Sequence, residues 1–428
     1  MSIELNRRLF LTGSAALVGG LSMPAFAKTA ARRVVTGAWT GVQTMLDETV
    51  RRNYVPGVGA ALARGSGPAT FLTAGVLGKG SKTAITPDSL WRVYSMTKPI
   101  TGMAAMMLIE DGKLKLDQNI ADLLPAFANM RVLTDPAKSL DSRPARAPIT
   151  VRNLLTHTAG LGYTIVTQGP LLKEYERLGI TPAIATKKAI PGQPFLPPTA
   201  PSLAEFADRL ATLPLIADPG VRWSYSVSLD LLGRVIEVAS GMSFDAFVQA
   251  RILGPLGMTS TYWQVPQSEK SRLTSNYFDA PFGAFELDPA NDSVYLDKPA
   301  FPFGGSGLVC SMRDYDRFLA MLMGQGAIGK TRIMKTETAQ IAMSNMVHPD
   351  TIMSGFVKGQ GFGAGGRVTI ADDPQGSGVG TFGWGGAAST IGWVDSKRGL
   401  RASGWSQIMT RGDQPFVVDF GKAVYASL

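Results

Sequence analysis

A single cysteine, Cys310, excludes any disulfide within this chain of 428 residues, and with it the small cross-linked scaffolds. Histidine is almost as scarce. His157 and His348 are the only two, and without an H-E-x-x-H stretch a catalytic zinc site has too few ligands to draw on. No G-x-S-x-G sequence occurs, so the serine elbow of α/β-hydrolases is missing, and a Ser-His-Asp triad would have to use one of the two histidines. Beyond the N-terminal segment no apolar run is long enough to cross a bilayer, which argues against stable membrane insertion. Acidic residues are outnumbered, 33 against 42 Lys and Arg, for a net charge of +9. Those cations are dispersed rather than grouped with aromatics, so the sequence offers nucleic acid little to bind.

The one long apolar stretch has a different meaning. Asn6-Arg7-Arg8-Leu9-Phe10-Leu11 leads into a glycine- and alanine-rich run to Met23, and Pro24-Ala25-Phe26-Ala27 precedes Lys28. Residues 1–27 therefore read as a signal peptide with an A-x-A cleavage site, and the paired arginines point to the twin-arginine route. The mature chain is expected in the periplasm or outside the cell.

Chemistry concentrates at Ser95-Met96-Thr97-Lys98. Residues i and i+3 share a helix face, so a helix beginning near Ser95 puts the Lys98 amine within reach of the Ser95 hydroxyl. A serine hydroxyl needs a base to become a nucleophile, and a lysine in a desolvated cleft can serve once it has shed its proton. Pro99 fits only in a first helical turn, and the apolar run over residues 100–110, closed by Asp111-Gly112, continues the helix. By itself S-x-x-K is a common sequence, equally readable as an exposed helix-start serine beside a solvated lysine.

Three further stretches follow in order: Leu154-Leu155-Thr156-His157-Thr158-Ala159-Gly160-Leu161, Trp223-Ser224-Tyr225-Ser226 and Phe382-Gly383-Trp384-Gly385-Gly386-Ala387. Their order and spacing resemble the serine β-lactamase and penicillin-binding-protein superfamily, most closely the family VIII carboxylesterases that are similar to class C β-lactamases. The resemblance covers nearly all of the mature chain. It implies catalytic roles for Ser95, Lys98 and Tyr225, with the tyrosine sharing or relaying the proton. It also implies an oxyanion hole made by the backbone N–H groups of Ser95 and Ala387, and no metal or organic cofactor. By this resemblance His157 belongs to a structural turn beside the site, expected as a partly buried and satisfied imidazole.

Two departures bear on substrate. Val227 stands where β-lactamases carry asparagine two residues after the tyrosine. Trp384-Gly385-Gly386 replaces the lysine-threonine-glycine strand whose lysine attracts a substrate carboxylate. Trp384 instead offers an apolar wall for an acyl or alcohol group, and Gly385 and Gly386 let the strand backbone approach an ester closely.

One literal motif is rejected. Gly324-Gln325-Gly326-Ala327-Ile328-Gly329-Lys330-Thr331 satisfies G-x-x-x-x-G-K-[ST], yet that loop cradles phosphate only between a strand and a helix. Residues 314–323 have helical periodicity, so these glycines read as a helix C-cap and turn, and no nucleotide partner is expected. Cys310, in the small-residue segment 304–311, reads as a buried inert thiol.

The fold class expected is α+β. A helix over residues 38–52 precedes a hairpin of 57–63 with 70–76. A second hairpin, 389–394 with 400–409, precedes a terminal helix over 416–426, and most segments between read helical. The resemblance joins both hairpins into one antiparallel sheet, with residues 28–90 and 300–428 as the sheet domain and 91–299 as a mostly helical insert. Within the insert, residues 163–202 carry Pro191, Pro194, Pro197, Pro198 and Pro201 and read as a long loop with at most a short helix at 171–175, by position either a cover over the groove or surface decoration.

The function expected is hydrolysis of a small-molecule ester of short to medium acyl length through an acyl-serine. A β-lactamase or D-alanyl-D-alanine carboxypeptidase, an acyltransferase of the same fold, and a non-catalytic envelope binding protein are the alternatives.

Overall fold

Alternation of side chains about a two-residue period builds the centre of the molecule. The computed structural model describes residues 37–428 apart from 38, 183–185, 188–198, 282, 354, 356–357, 372, 374–375 and 411. The expected signal peptide lies outside the described residues, as do Pro191, Pro194, Pro197 and Pro198. In strand Gly57–Arg64, Val58, Ala60 and Leu62 enter one core with Trp39, Val42, Leu46, Phe416 and Phe420, beneath helices Thr40–Arg51 and Pro415–Tyr425. On the opposite face Gly59 meets helix Met312–Met323 so closely that a Cβ there would lie 2.5 Å from Met312 Sδ. Both faces are thereby covered.

The strand belongs to a seven-stranded sheet. Its order is Gln360–Phe362, Arg367–Thr369, Phe382–Gly386, Thr390–Asp395, Leu400–Trp405, Gly57–Arg64 and Thr70–Gly75, with every neighbouring pair antiparallel. The two expected hairpins are adjacent in it, where Gly59 faces Trp405 and Arg64 faces Leu400. Arg401 secures the junction, its guanidinium bound to Asp316 and to the Gly65 and Gly67 carbonyls. This is the α+β arrangement, a single antiparallel sheet from both chain ends, that the β-lactamase/transpeptidase-like resemblance implied.

A second core surrounds helix Thr97–Glu110. Every residue from Thr97 to Leu108 is buried, the pattern of a helix enclosed on all sides. Helix Ser228–Ser240 packs beside it, and Gly102 lets the Ala364 carbonyl come within 2.2 Å of where a Cβ would stand.

The stretch between the hairpins also carries strands that its helical reading overlooked. Asn276–Ala280 pairs antiparallel with Gly283–Asp288 and parallel with Ile408–Met409, and Leu90–Arg92 pairs with Val309–Ser311, which pairs with Thr261–Tyr262. Each is short, below the length at which periodicity separates strand from helix. Around 171–175 the chain forms helix Pro170–Leu178. The rejected phosphate-loop motif follows helix Met312–Met323 and folds into the small hairpin of Ala327–Ile328 with Thr331–Arg332. No strand leads into it.

Candidate active site

Ser95 lies in a single tight turn, Tyr94–Met96, that runs directly into helix Thr97–Glu110. Strand Leu90–Arg92 delivers the chain to this point, and Tyr94 turns it with φ of +41°, a left-handed conformation that costs a bulky residue roughly 1–3 kcal/mol. Packing holds the strain in place: Asn276 Nδ2 donates to Tyr94 Oη at 3.0 Å, and the ring stands edge-on to Tyr295 at 6.3 Å. The result is a serine presented at a surface, half-buried, while Tyr94 and Met96 on either side are buried.

Three expected catalytic side chains converge. Lys98 Nζ donates to Ser95 Oγ at 3.1 Å, and Tyr225 Oη donates to the same oxygen at 2.7 Å. Lys98 is wholly buried. Its other contacts are the Gly305 carbonyl at 2.7 Å and the faces of Tyr225 and Tyr163, with ring centroids 4.6 and 5.6 Å away, so its side-chain nitrogen is enclosed by a carbonyl dipole and two π faces.

Two buried titratable groups flank the lysine. Asp230, on helix Ser228–Ser240, accepts from the Gly305 amide at 2.8 Å, while its second oxygen, Oδ2, has no hydrogen-bond partner among the described residues. Burial pushes its carboxyl up to about 6, against the downward pull of the Lys98 charge. On the other side, His157 Nδ1 pairs with Ser226 Oγ at 2.9 Å. Burial first, and the Lys98 charge second, hold the imidazole well below its usual value, so it is neutral at pH 7. Here the sequence expectation needs correcting: the ring is completely buried and only half satisfied, because Nε2 has no partner among the described residues. An aromatic box of Trp223, Tyr225 and Phe362 surrounds it, with centroids 6.0, 4.9 and 5.3 Å away. His348 lies apart on an exposed turn, its Nδ1 3.5 Å from Asp350.

The opposite wall is strand Phe382–Gly386, which packs against the Tyr94–Met96 turn. Trp384 and Gly385 are half-exposed along it, as is Ala387 just beyond its end. Trp384 Nε1 donates to Tyr225 Oη at 3.4 Å, and the indole lies against Phe362 with ring centroids 5.2 Å apart. Gly386 explains how closely the strand approaches: a Cβ there would lie 2.2 Å from Thr390 Oγ1 and 2.3 Å from the Val93 carbonyl. The Val93 carbonyl is backbone and cannot swing aside. Gly386→Ala is therefore expected to shift the strand away from Ser95, lowering kcat of any reaction at Ser95 by about a hundredfold and stability by about 1–3 kcal/mol. Parallel measurement of kcat and of the urea midpoint checks both, and an unchanged kcat would separate the strand's position from the chemistry.

A serine, a lysine and a tyrosine meeting at one oxygen beside a glycine-lined strand is the arrangement that the sequence resemblance implied, and the sequence matches the Beta-lactamase family over residues 42–419. The chain belongs to the beta-lactamase family. Proteins similar to it include Protein Rv1367c of Mycobacterium tuberculosis strain H37Rv, 33% identical over 320 residues, 71% of this chain and 73% of that protein. Esterase EstB of Burkholderia gladioli is 27% identical over 411 residues, 90% of this chain and 94% of the other. Among solved structures, EstCE1, described as a hydrolase with promiscuous acyltransferase activity, superposes with a TM-score of 0.73 at 23% identity, covering 91% of this chain and 98% of that one.

Within this beta-lactamase fold the sequence reading missed Asp230, Gly305 and Tyr163, all in contact with or close to Lys98. Asp230 carried a usable signal, an acid set among Leu229, Leu231 and Leu232 on a largely buried helix. Gly305 and Tyr163 act through position alone and carried none. Cys310 is buried in strand Val309–Ser311, and burial raises its thiol well above the ordinary value, which suits an inert packing residue.

Proposed function

We propose that this protein is a serine esterase that cleaves short to medium acyl esters through an acyl-Ser95 intermediate. The observation that carries the reading is the meeting of Lys98 Nζ and Tyr225 Oη on Ser95 Oγ at 3.1 and 2.7 Å. As Oγ bonds to the ester carbonyl carbon, its proton passes to Lys98, with Tyr225 bridging. The tetrahedral oxyanion is held by the backbone N–H groups of Ser95 and Ala387, and its collapse breaks the bond to the alcohol, which leaves with the proton. Water then repeats the sequence on the acyl-serine.

Substrate class follows from the wall. Trp384 replaces the cation that would bind a carboxylate, so a neutral ester meets an apolar surface and a β-lactam finds no charge partner there. Similarity to an esterase across nine-tenths of the chain supports hydrolysis. The promiscuous acyltransferase activity ascribed to EstCE1 favours a second reading, acyl transfer to an alcohol in place of water.

The test is hydrolysis of p-nitrophenyl butyrate beside a chromogenic cephalosporin. The ester is expected to exceed the β-lactam in kcat/KM by at least about a hundredfold. Faster turnover of the cephalosporin would overturn the ester assignment. Added methanol that diverts product from butyrate to methyl butyrate would identify the transferase reading.

A further inference from the structure

We infer that Asp230 is a positioning residue for Lys98, fixing through the Gly305 peptide the carbonyl that holds the lysine and supplying the buried negative charge opposite the ammonium formed when Ser95 gives up its proton. The inference rests on the proposed role of Lys98 as the base. One residue joins the two groups: its N–H donates to Asp230 Oδ1 at 2.8 Å, and its carbonyl accepts from Lys98 Nζ at 2.7 Å. Gly305 has no Cβ because none fits, since it would lie 2.6 Å from Asp230 Oδ2. The carboxylate therefore presses against the backbone that grips the lysine.

A purely structural acid would not be built this way. Asp230 is completely buried, and its Oδ2 has no partner among the described residues, so the ionised side chain burdens the fold. Its raised value in the folded state gives the sign: relative to the unfolded chain the group stabilises below the ordinary carboxylate range, and that contribution is lost as pH rises through about 6. At neutral pH it is a net liability for stability. A buried anion retained at such a cost, one residue of backbone away from the buried Lys98 amine, fits a task in the chemistry.

The charged and titratable groups around it come from two elements. Lys98 faces it from helix Thr97–Glu110, and Tyr163 from the loop before helix Pro170–Leu178. Burial, then the Tyr225 and Asp230 charges, push the Tyr163 phenol well above its usual range, which leaves Asp230 as the anion beside the lysine. During acylation the Ser95 Oγ–H bond breaks, the proton joins Lys98 Nζ, and the new positive charge lies opposite Asp230. Without that anion the amine is a weaker base, which binds its proton less readily and also pulls less strongly on the serine proton.

Asp230→Asn is the deciding variant, because it keeps an acceptor for the Gly305 amide and removes only the charge. With p-nitrophenyl butyrate, kcat is expected to fall at least about tenfold with little change in KM. The acid limb of the kcat/KM profile should move to lower pH, and the Tm at pH 7 should stay level or rise. Asp230→Ala, which also leaves the Gly305 amide without an acceptor, should lose more activity and some stability. Asp230→Asn with unchanged kcat and an unmoved pH profile would overturn the inference, as would a loss of activity matched by a loss of folded protein. Wild type measured alongside keeps the two readings apart: an inactive wild type defeats the esterase proposal, whereas an active wild type matched by Asp230→Asn defeats only the role of Asp230.

Discussion

Ser95→Ala is expected to lower kcat/KM for p-nitrophenyl butyrate by at least about a thousandfold, with a Tm close to that of the wild type. The substitution removes one oxygen at a half-buried position, and that oxygen's partners, Lys98 and Tyr225, keep other contacts. Little of the fold depends on it. Lys98→Ala should cost a comparable factor, since an unassisted serine hydroxyl and a missing one are almost equally inert. The double variant should then be no worse than either single one, because groups acting in one proton transfer fail together. Lys98→Ala differs in stability, as it empties a fully buried site and strips the Gly305 carbonyl of its partner. Steady-state kinetics and thermal unfolding of the three variants test this pattern. Retained activity in Ser95→Ala would show that another residue is the nucleophile.

Asp288→Ala is expected to destabilise the fold by about 3–5 kcal/mol, read as a shift of the urea unfolding midpoint. Arg92 lies three residues before Ser95 with its guanidinium wholly buried. Its Nε donates to Asp288 Oδ2 at 2.6 Å, and its Nη atoms reach the Thr274 carbonyl at 2.5 Å and Ser293 Oγ at 2.9 Å. Removing the carboxylate strands a positive charge in the interior, the costly way to break a buried pair. The effect should extend to the site, because Asp288 ends the strand that pairs with Asn276–Ala280, and Asn276 anchors Tyr94. A variant that keeps its urea midpoint would mean that water reaches Arg92. Substituting both Arg92 and Asp288 with apolar residues should recover part of the loss.

Spacing along the sequence revealed what local geometry decides. The two hairpins, both terminal helices and the reach of Lys98 to Ser95 all follow from periods of two and of about 3.6, and they stand in the structure within a few residues of where those periods place them. Bringing Tyr225 to Ser95 across 130 positions was legible only through family resemblance, because no local rule spans that distance. The short strands near Asn276–Ala280 went unread, being too brief to show a period. The aromatic enclosure of His157 also went unread. Its members Trp223, Tyr225 and Phe362 come from distant segments, and nothing near residue 157 announces a backbone with φ of +56°. Buried charges were the hardest to see: Arg92 looks in sequence like the solvated residue that Arg usually is, and Asp230 betrays itself only by its leucine neighbours.

The pairing of the two hairpins sets an order of events during synthesis. Arg401 reaches back to the Gly65 carbonyl across 336 positions, so an emerging chain carries the N-terminal hairpin with one edge open until almost the last strand is made. Strand Gly57–Arg64, apolar over most of its length, has to wait unpaired along that edge. The serine turn waits with it, because the glycine strand beside it lies in the same late segment. A chain truncated before Leu400 would leave that edge free to pair with another copy, so premature termination would yield aggregates rather than a smaller enzyme.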